Sequence, residues 1–279
     1  LDTETRRWLT KEEMRARKSR DFSEEAPKKE RSEFRKEREP KEKGGFFHRE
    51  KKEKKDLTHN RKKTYILPEG TPVPFLVDLG VMTTEGKIVR SKYDKYRQIN
   101  RFLEFIQDVL PELPKNRPLT IIDFGCGKSY LTFAMYYYLN VLMGYEVNMI
   151  GLDLKSDVIE YCNTVARDVG FDTLKFYCGD ITKYECEEKP HLVISLHACD
   201  IATDIVLDKA IAEDARVILS TPCCHHELNH TINCPSLSFV TEHSMLRQKL
   251  CDAATDAMRL KLLEANGYIT DAIELIDPE

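Results

Sequence analysis

The stretch that most constrains the fold of this chain is Thr120–Phe133, in which an apolar run ends in an acid and then passes two glycines. Leu119–Ile122 is short and apolar, which is typical of a strand buried on both faces of a parallel sheet. Gly125 and Gly127 allow the backbone to turn sharply and to approach a ligand closely. The residues after the turn have helical spacing. The stretch therefore predicts a strand, a turn and a helix that together bind a nucleotide.

Three features indicate which nucleotide. Asp123 precedes the first glycine, where a carboxylate can receive an ammonium group but repels a pyrophosphate. The third glycine of a dinucleotide fingerprint is missing, because Tyr130 stands at its position. A second apolar strand, Val147–Leu154, contains Asp153 near its end, where a carboxylate can accept both ribose hydroxyls. These features favour S-adenosylmethionine (SAM).

The rest of the chain alternates between strand and helix patterns, which predicts an α/β fold with a mostly parallel sheet and helices on both faces. Three further helices are predicted at Asp157–Val169, Ala202–Glu213 and Ser244–Asn266. The last of them has an apolar stripe of Leu246, Leu250, Ala254, Ala257, Leu260 and Leu263. Four further strands are predicted at Leu174–Tyr177, Leu192–Leu196, Ala215–Ser220 and Ile269–Ile276.

Ligands of such sheets bind at the carboxyl ends of the strands, and the polar residues at those ends are the candidate site. We expect the methionine end of SAM at Asp123, Gly125 and Gly127, the ribose at Asp153 beside Leu154, the adenine at Asp180 and Ile181, and Lys92 to fold over the cofactor. We expect the methyl acceptor to meet Asp200, His197, His225 and His226. Any of these four could take the acceptor's proton, with Asp200 the first candidate and His225 the second.

Two blocks, Leu196–Leu207 (LHACDIATDIVL) and Pro222–Leu228 (PCCHHEL), carry a resemblance to a known family. The chain resembles the class I SAM-dependent methyltransferases, and within them the family that includes tRNA acceptor-stem 2′-O-methyltransferases and glutathione-S-transferase-C-terminal-domain-containing proteins. Ser91–Phe105 is similar to the same region of uncharacterised bacterial members. Ser129 stands where many members have glycine, and Asp200 stands where the tRNA enzymes have glycine.

The resemblance implies a Rossmann-like fold that normally closes with a seventh, antiparallel strand. The chain ends at Glu279, directly after the predicted sixth strand, and begins with Leu1. We therefore expect a domain that lacks its last strand, with an exposed edge to the sheet.

Charge divides the chain into two parts. Residues 1–66 carry a net charge of +8 and the remaining residues a net charge of −12. We expect a basic, disordered arm at 1–63, a segment with a cap helix at 64–118, and the SAM-binding domain at 119–279. The arm is either a passive solvated tail or a contact for RNA phosphates, with Phe46, Phe47 and His48 able to stack on bases. The stretch His59–Leu67 is the better contact candidate, because its charges adjoin the first folded residues.

The chain has no apolar run long enough to span a membrane, and no signal peptide opens it. Its nine cysteines include no C-x-x-C pair, which favours reduced thiols and a cytoplasmic location. Cysteines and histidines cluster between Cys223 and Cys234, but the paired spacing of structural zinc is absent, so no metal is expected. Cys199 or Cys223 could alternatively be a nucleophile, although small buried packing explains both.

Three functions remain open from the sequence. The first is an RNA methyltransferase, which the family blocks and the basic arm favour. The second is a methyltransferase of proteins or small molecules on the same fold, because a fold does not determine its substrate. The third is a non-catalytic SAM-binding module. The intact glycine turn and the two carboxylates Asp123 and Asp153 count against this last function.

Overall fold

The computed structural model describes residues 64–273, except His197, Cys199, Cys223 and Cys224. The chain divides into two units, Leu1–Thr64 and Tyr65–Glu279. The predicted basic arm, the four named residues and the end of the predicted sixth strand therefore lie outside the described residues.

The second unit is built on a five-stranded parallel sheet with the order β3-β2-β1-β4-β5. Its strands are β1 (Leu119–Phe124), β2 (Val147–Asp153), β3 (Leu174–Cys178), β4 (Leu192–Ser195) and β5 (Val217–Ser220). The strand order reverses between β1 and β4, so a crevice opens at the carboxyl ends of these two strands. The sheet confirms the predicted Rossmann-like α/β fold.

Eight α-helices are found in the described residues: α1 (Pro74–Asp78), α2 (Tyr93–Val109), α3 (Tyr130–Tyr136), α4 (Ser156–Asp168), α5 (Ile201–Ala212), α6 (His226–Thr231), α7 (Ser238–Thr241) and α8 (Ser244–Ala265). A π-helical turn, Tyr137–Leu142, continues α3, and short 3-10 helices occur at Arg90–Lys92, Leu110–Glu112, Ile181–Lys183 and Pro235–Leu237. None of the helices of the described residues has the length and apolar character that crossing a bilayer would demand.

The strands bury side chains on both faces, as their apolar runs predict. Ile121 and Ile194 pack into a large cluster with α2 and α3, whereas Ile122 and Val193 pack into a smaller cluster with α5. The large cluster also includes residues that precede the sheet, from Leu67 onward. Helices therefore cover both faces of the sheet, as expected.

The C-terminal region differs from the sequence-based prediction in two ways. Residues 269–273 form no strand, so the sixth strand is wrong over that range. Helix α8 forms, but its predicted apolar stripe is not its buried face. Leu246 is 43% exposed, and the buried side chains of α8 are Cys251 and Arg259. The reason is that α8 packs on the short helices α6 and α7 and on α5, where polar contacts dominate.

Candidate functional site

The end of β2 accepts hydrogen bonds from the glycine turn that follows β1. The backbone N–H groups of Gly125 and Cys126 donate to the carbonyl of Leu152, at 2.8 and 3.0 Å. Gly125 and Gly127 have positive φ angles of 74° and 52°, which L side chains rarely adopt. Ser129 also has a left-handed backbone, with φ at 57°, which is the physical reason that glycine suits this position.

Asp123 lies at the carboxyl end of β1 with only 2% of its surface exposed. Its Oδ2 atom accepts a hydrogen bond of 2.5 Å from the hydroxyl of Thr132, whereas its Oδ1 atom is buried and has no partner among the described residues. Burial raises the pKa of Asp123 to about 7, and the nearby charge of Asp153 adds to the rise, although the bond from Thr132 opposes it. A buried acceptor without a donor is costly, so this atom is suited to an incoming cation.

A cleft opens beside Asp123. It is lined by Lys95, Asp123, Cys126, Lys128, Ser129, Tyr130, Leu131, Thr132 and Leu196. These residues come from α2, the glycine turn, the start of α3 and the end of β4. The cleft therefore lies at the reversal of strand order, where this type of sheet binds its ligands.

Asp153 ends β2 and supports the glycine turn directly. Its Oδ2 atom accepts the N–H of Gly127 at 2.9 Å, and its Oδ1 atom accepts the N–H of Lys155 at 3.0 Å. Each carboxylate oxygen retains a second lone pair, which leaves both able to accept a ribose hydroxyl.

The next two strand ends offer an apolar and a polar group. Leu154, directly after Asp153, is 73% exposed. Asp180 is exposed, and its Oδ1 atom accepts the backbone N–H of Thr182 at 2.9 Å. That backbone bond lowers the pKa of Asp180. Ile181 follows it and packs partly on the smaller core cluster. A flat apolar base could lie against Leu154 and Ile181.

The lysine that lines the cleft is not the one that the sequence suggested for the cofactor. Lys92 is exposed and does not line the cleft, whereas Lys95 is half-buried and does. Neither Lys95 nor Thr132 was predicted from the sequence. A signal for Lys95 was present in the helical pattern, because Lys95 lies four residues before Ile99, which is fully buried, and the two therefore share one face of α2.

The acceptor-side candidates lie in the loops after β4 and β5. Asp200 is half-buried and has φ and ψ angles of 53° and −119°, a conformation that favours glycine. His225 is 7% exposed, and its Nε2 atom lies 2.7 Å from Oδ1 of Asp256 in α8. His226 is exposed at the start of α6. His197 lies outside the described residues.

Arg259 of α8 joins these two loops, and the sequence analysis missed it. Its Nη2 atom donates to the backbone carbonyl of Asp200 at 3.0 Å, and its Nε atom donates to Oδ1 of Asp204 at 2.7 Å. Its Nη1 atom lies 3.4 Å from the same oxygen of Asp256 that contacts His225. The chain thus connects the loops after β4 and β5 through one buried guanidinium.

Within the described residues, no group of three or more histidine, cysteine or acidic side chains is arranged to hold a metal ion. Cys223 and Cys224, two members of the cluster noted in the sequence, lie outside the described residues. Cys234 is a partly buried free thiol.

Residues 94–231, just under half of the chain, match the family model of a methyltransferase domain. The chain contains a class I SAM-dependent methyltransferase domain. SAM is therefore its cofactor, as predicted, and the partnerless oxygen of Asp123 fits the ammonium group at the methionine end of SAM. Among curated proteins, none is similar enough in sequence to count as a relative.

Several solved structures resemble the domain distantly. A SAM-dependent methyltransferase from Clostridium acetobutylicum is 16% identical, over 46% of this chain and 48% of its own, with a TM-score of 0.34. The CMeT domain of the citrinin polyketide synthase is 19% identical, over 53% and 41%, with a TM-score of 0.36. Coclaurine N-methyltransferase, bound to N-methylheliamine and SAH, is 14% identical, over 35% and 27%, with a TM-score of 0.29. The chain spans less than half the length of each of these proteins.

Proposed function

We propose that the chain is an enzyme that transfers the methyl group of SAM to RNA, such as tRNA or rRNA, by in-line displacement. The observation that supports methyl transfer is the buried Oδ1 atom of Asp123 in the cleft beside the glycine turn, which has no hydrogen-bond partner in the part of the chain that the structure describes. When bound, SAM supplies a methyl group on a positively charged sulfur, which is already activated for transfer. The chain's own residues need only orient the reactants and exclude water.

The cofactor residues then have distinct roles. Asp123 receives the ammonium group, and the backbone of Gly125 and Gly127 approaches the methionine end. Asp153 accepts the ribose hydroxyls while it holds the turn through the N–H of Gly127. The ribose and adenine lie against the exposed Leu154 after β2, and Asp180 and Ile181, which follow the neighbouring strand β3, contact the adenine.

On the acceptor side, Asp200 is the first candidate to take the proton of the attacking group. His225 is the second candidate, but its buried ring already contacts Asp256 through Nε2 and lies 3.6 Å from Oδ1 of Asp252 through Nδ1. These contacts favour Asp200 over His225. His197 and His226 remain alternatives in the same two loops.

Charge supports RNA as the acceptor. The basic arm, with its net charge of +8, can track phosphates in a salt-dependent manner. Arg90, Lys92 and Lys128 are exposed cations on and near the segments that line the cleft. The resemblance of Leu196–Leu207 and Pro222–Leu228 to tRNA 2′-O-methyltransferases points the same way. A cytoplasmic enzyme fits this substrate and the absence of a C-x-x-C pair.

A protein or small-molecule acceptor is the second candidate, and one observation favours it. The residues after the arm carry a net charge of −12, which repels a polyanion unless the arm compensates.

Radiolabelled SAM tests both candidates. The full chain is incubated with total RNA, with total protein and with a small-molecule extract of the same cells. Label that enters RNA and is released by ribonuclease supports the proposal, whereas label that enters only protein or small molecules refutes RNA as the acceptor. Asp123→Asn serves as the control, because it should abolish transfer to every acceptor while the fold is retained.

The arm is tested by its salt dependence. Removal of residues 1–63 should reduce the slope of log affinity for RNA against log salt concentration, because fewer phosphate counterions are released on binding. Binding of SAM to the shortened chain checks that the domain still folds. An unchanged slope would mean that the arm is a passive tail.

A further inference from the structure

Lys95 is a cation held at the wall of the cofactor cleft. Its ammonium donates to Oε1 of Gln98 at 3.0 Å and lies 5.2 Å from the centre of the Tyr130 ring. Both contacts are with uncharged groups, and the aromatic face attracts the cation without neutralising it. The side chain is half-buried and lines the same cleft as Asp123.

The cleft thus presents a half-buried cation, Lys95, and a buried anion, Asp123, that do not neutralise each other, whereas Lys128, the second lysine of the lining, is exposed. Asp123 accepts from Thr132 through Oδ2 and receives no hydrogen bond at Oδ1 from any described residue, while Lys95 donates to Gln98. Burial and the positive charge of Lys92 lower the pKa of Lys95, which means that its charged form lacks compensation in this structure. A ligand with adjacent opposite charges would satisfy both groups.

We propose that Lys95 binds the carboxylate at the methionine end of SAM, while Asp123 binds the ammonium group on the same carbon. The two side chains form a clamp for the α-amino acid zwitterion, and this clamp makes the site select SAM over adenosine derivatives that lack the amino acid. The inference rests on SAM as the cofactor and is independent of RNA as the acceptor.

The clamp differs from the sequence-based prediction, which assigned Lys92 to the cofactor. Lys92 lies in the 3-10 helix before α2 and is exposed, so solvent screens its charge. Lys95 follows by one helical turn and is the lysine of α2 that lines the cleft. Replacement of Lys95 by methionine should therefore weaken cofactor binding, whereas the same replacement of Lys92 should not.

Calorimetric titration of the full chain with two ligands tests the clamp. S-adenosylhomocysteine carries the amino acid, whereas 5′-methylthioadenosine shares the adenosine and sulfur but lacks it. Lys95→Met removes the charge and keeps a helix-forming side chain of similar length. We expect it to weaken binding of S-adenosylhomocysteine about tenfold or more, because a charge-assisted hydrogen bond is lost. Binding of 5′-methylthioadenosine should change by less than about twofold, because it makes no such bond.

Four further variants sharpen the result, one of them Lys128→Met for the second lysine of the cleft lining. Lys95→Arg should restore much of the affinity for S-adenosylhomocysteine, because it restores the charge. Lys92→Met distinguishes the two assignments, and Lys261→Met, in an exposed lysine of α8, is the neutral control.

The proposal is overturned if Lys95→Met weakens both ligands equally, because the loss would then be structural. It is also overturned if Lys95→Met leaves S-adenosylhomocysteine binding unchanged, or if Lys92→Met or Lys128→Met alone causes the selective loss. No methyl acceptor is needed, so a failure of RNA as the substrate leaves this test intact.

Discussion

Lowering the pH from 7 to 5.5 should weaken SAM binding, because the carboxyl group of Asp123 must be ionised to receive the ammonium group. Burial raises the pKa of this group to about 7 in the cofactor-free protein. The α-amino group of the cofactor, with a reference pKa of roughly 7.7–8.0, stays protonated across this range. The titration of Asp123 therefore dominates the pH dependence on the acid side.

The magnitude follows from the ionised fraction. With a pKa of about 7, Asp123 is about half ionised at pH 7 and only about 3% ionised at pH 5.5. The apparent Kd for SAM should thus rise about 15-fold between these pH values. Binding should also release protons, about half a proton per SAM at pH 7 and nearly one at pH 5.5.

Isothermal titration calorimetry in two buffers of different ionisation enthalpy measures both quantities. In Asp123→Asn the affinity for SAM should be low and independent of pH over this range. In the unsubstituted chain, 5′-methylthioadenosine should likewise bind independently of pH, because it has no ammonium group. A Kd for SAM that is flat from pH 5.5 to 7, with no proton released, would refute the assignment of Asp123 as the ammonium acceptor.

Three other substitutions test the energetics around the site. Asp123→Asn should stabilise the cofactor-free protein at pH 8 by up to about 4 kcal/mol, and this gain should vanish near pH 4. The reason is that a carboxyl group whose pKa is raised on folding destabilises the folded protein only when it ionises. Urea unfolding at both pH values measures the difference. Arg259→Gln should lower the free energy of unfolding by about 2–3 kcal/mol. This is less than for a fully buried ion pair, because the carboxylates of Asp204 and Asp256 are partly exposed. The control Lys261→Gln, in an exposed ion pair, should change the free energy of unfolding by less than about 0.5 kcal/mol. Gly151→Ala should lower the free energy of unfolding by about 1–3 kcal/mol, because the added Cβ would lie 2.4 Å from the buried ring of Phe176. Gly179→Ala should be tolerated, because the nearest atom to its Cβ would be 3.7 Å away. Equal shifts of the thermal unfolding temperature for the two variants would contradict this explanation.

The strands and the glycine turn could be predicted from the sequence because their signals are local. The run before Asp123 is apolar and short, and the predicted strand from Leu119 is extended only by two residues in the structure. The turn needs positive φ angles at Gly125 and Gly127, and glycine is the residue that adopts such angles most readily. Given the strand order, right-handed crossovers between parallel strands then decide which face of the sheet each helix covers.

Contacts between distant segments could not be predicted in the same way. Lys92 and Lys95 are three residues apart and would share one face of a continuous helix, so the choice between them depends on where α2 begins. The α-helix begins at Tyr93, which leaves Lys92 in the preceding 3-10 helix and Lys95 in the first turn of α2 beside the cleft. The apolar stripe of α8 was misassigned because its helical period does not specify which face meets a neighbour. The structure instead places Cys251 and Arg259, eight residues apart on one face, against the rest of the domain.

The backbone of Asp200 connects this long-range packing to the candidate chemistry. Its φ and ψ angles of 53° and −119° are strained for any residue but glycine. A non-glycine residue in such a conformation costs on the order of 1–3 kcal/mol and persists only where its surroundings enforce it. Arg259 provides that enforcement by donating to the carbonyl of Asp200 while it is paired to Asp204. A carboxylate at a strained position, held there by a buried ion pair from α8, is the pattern expected of a residue with a chemical role. Asp200 is therefore the first acceptor-side residue to substitute once the methyl acceptor is identified.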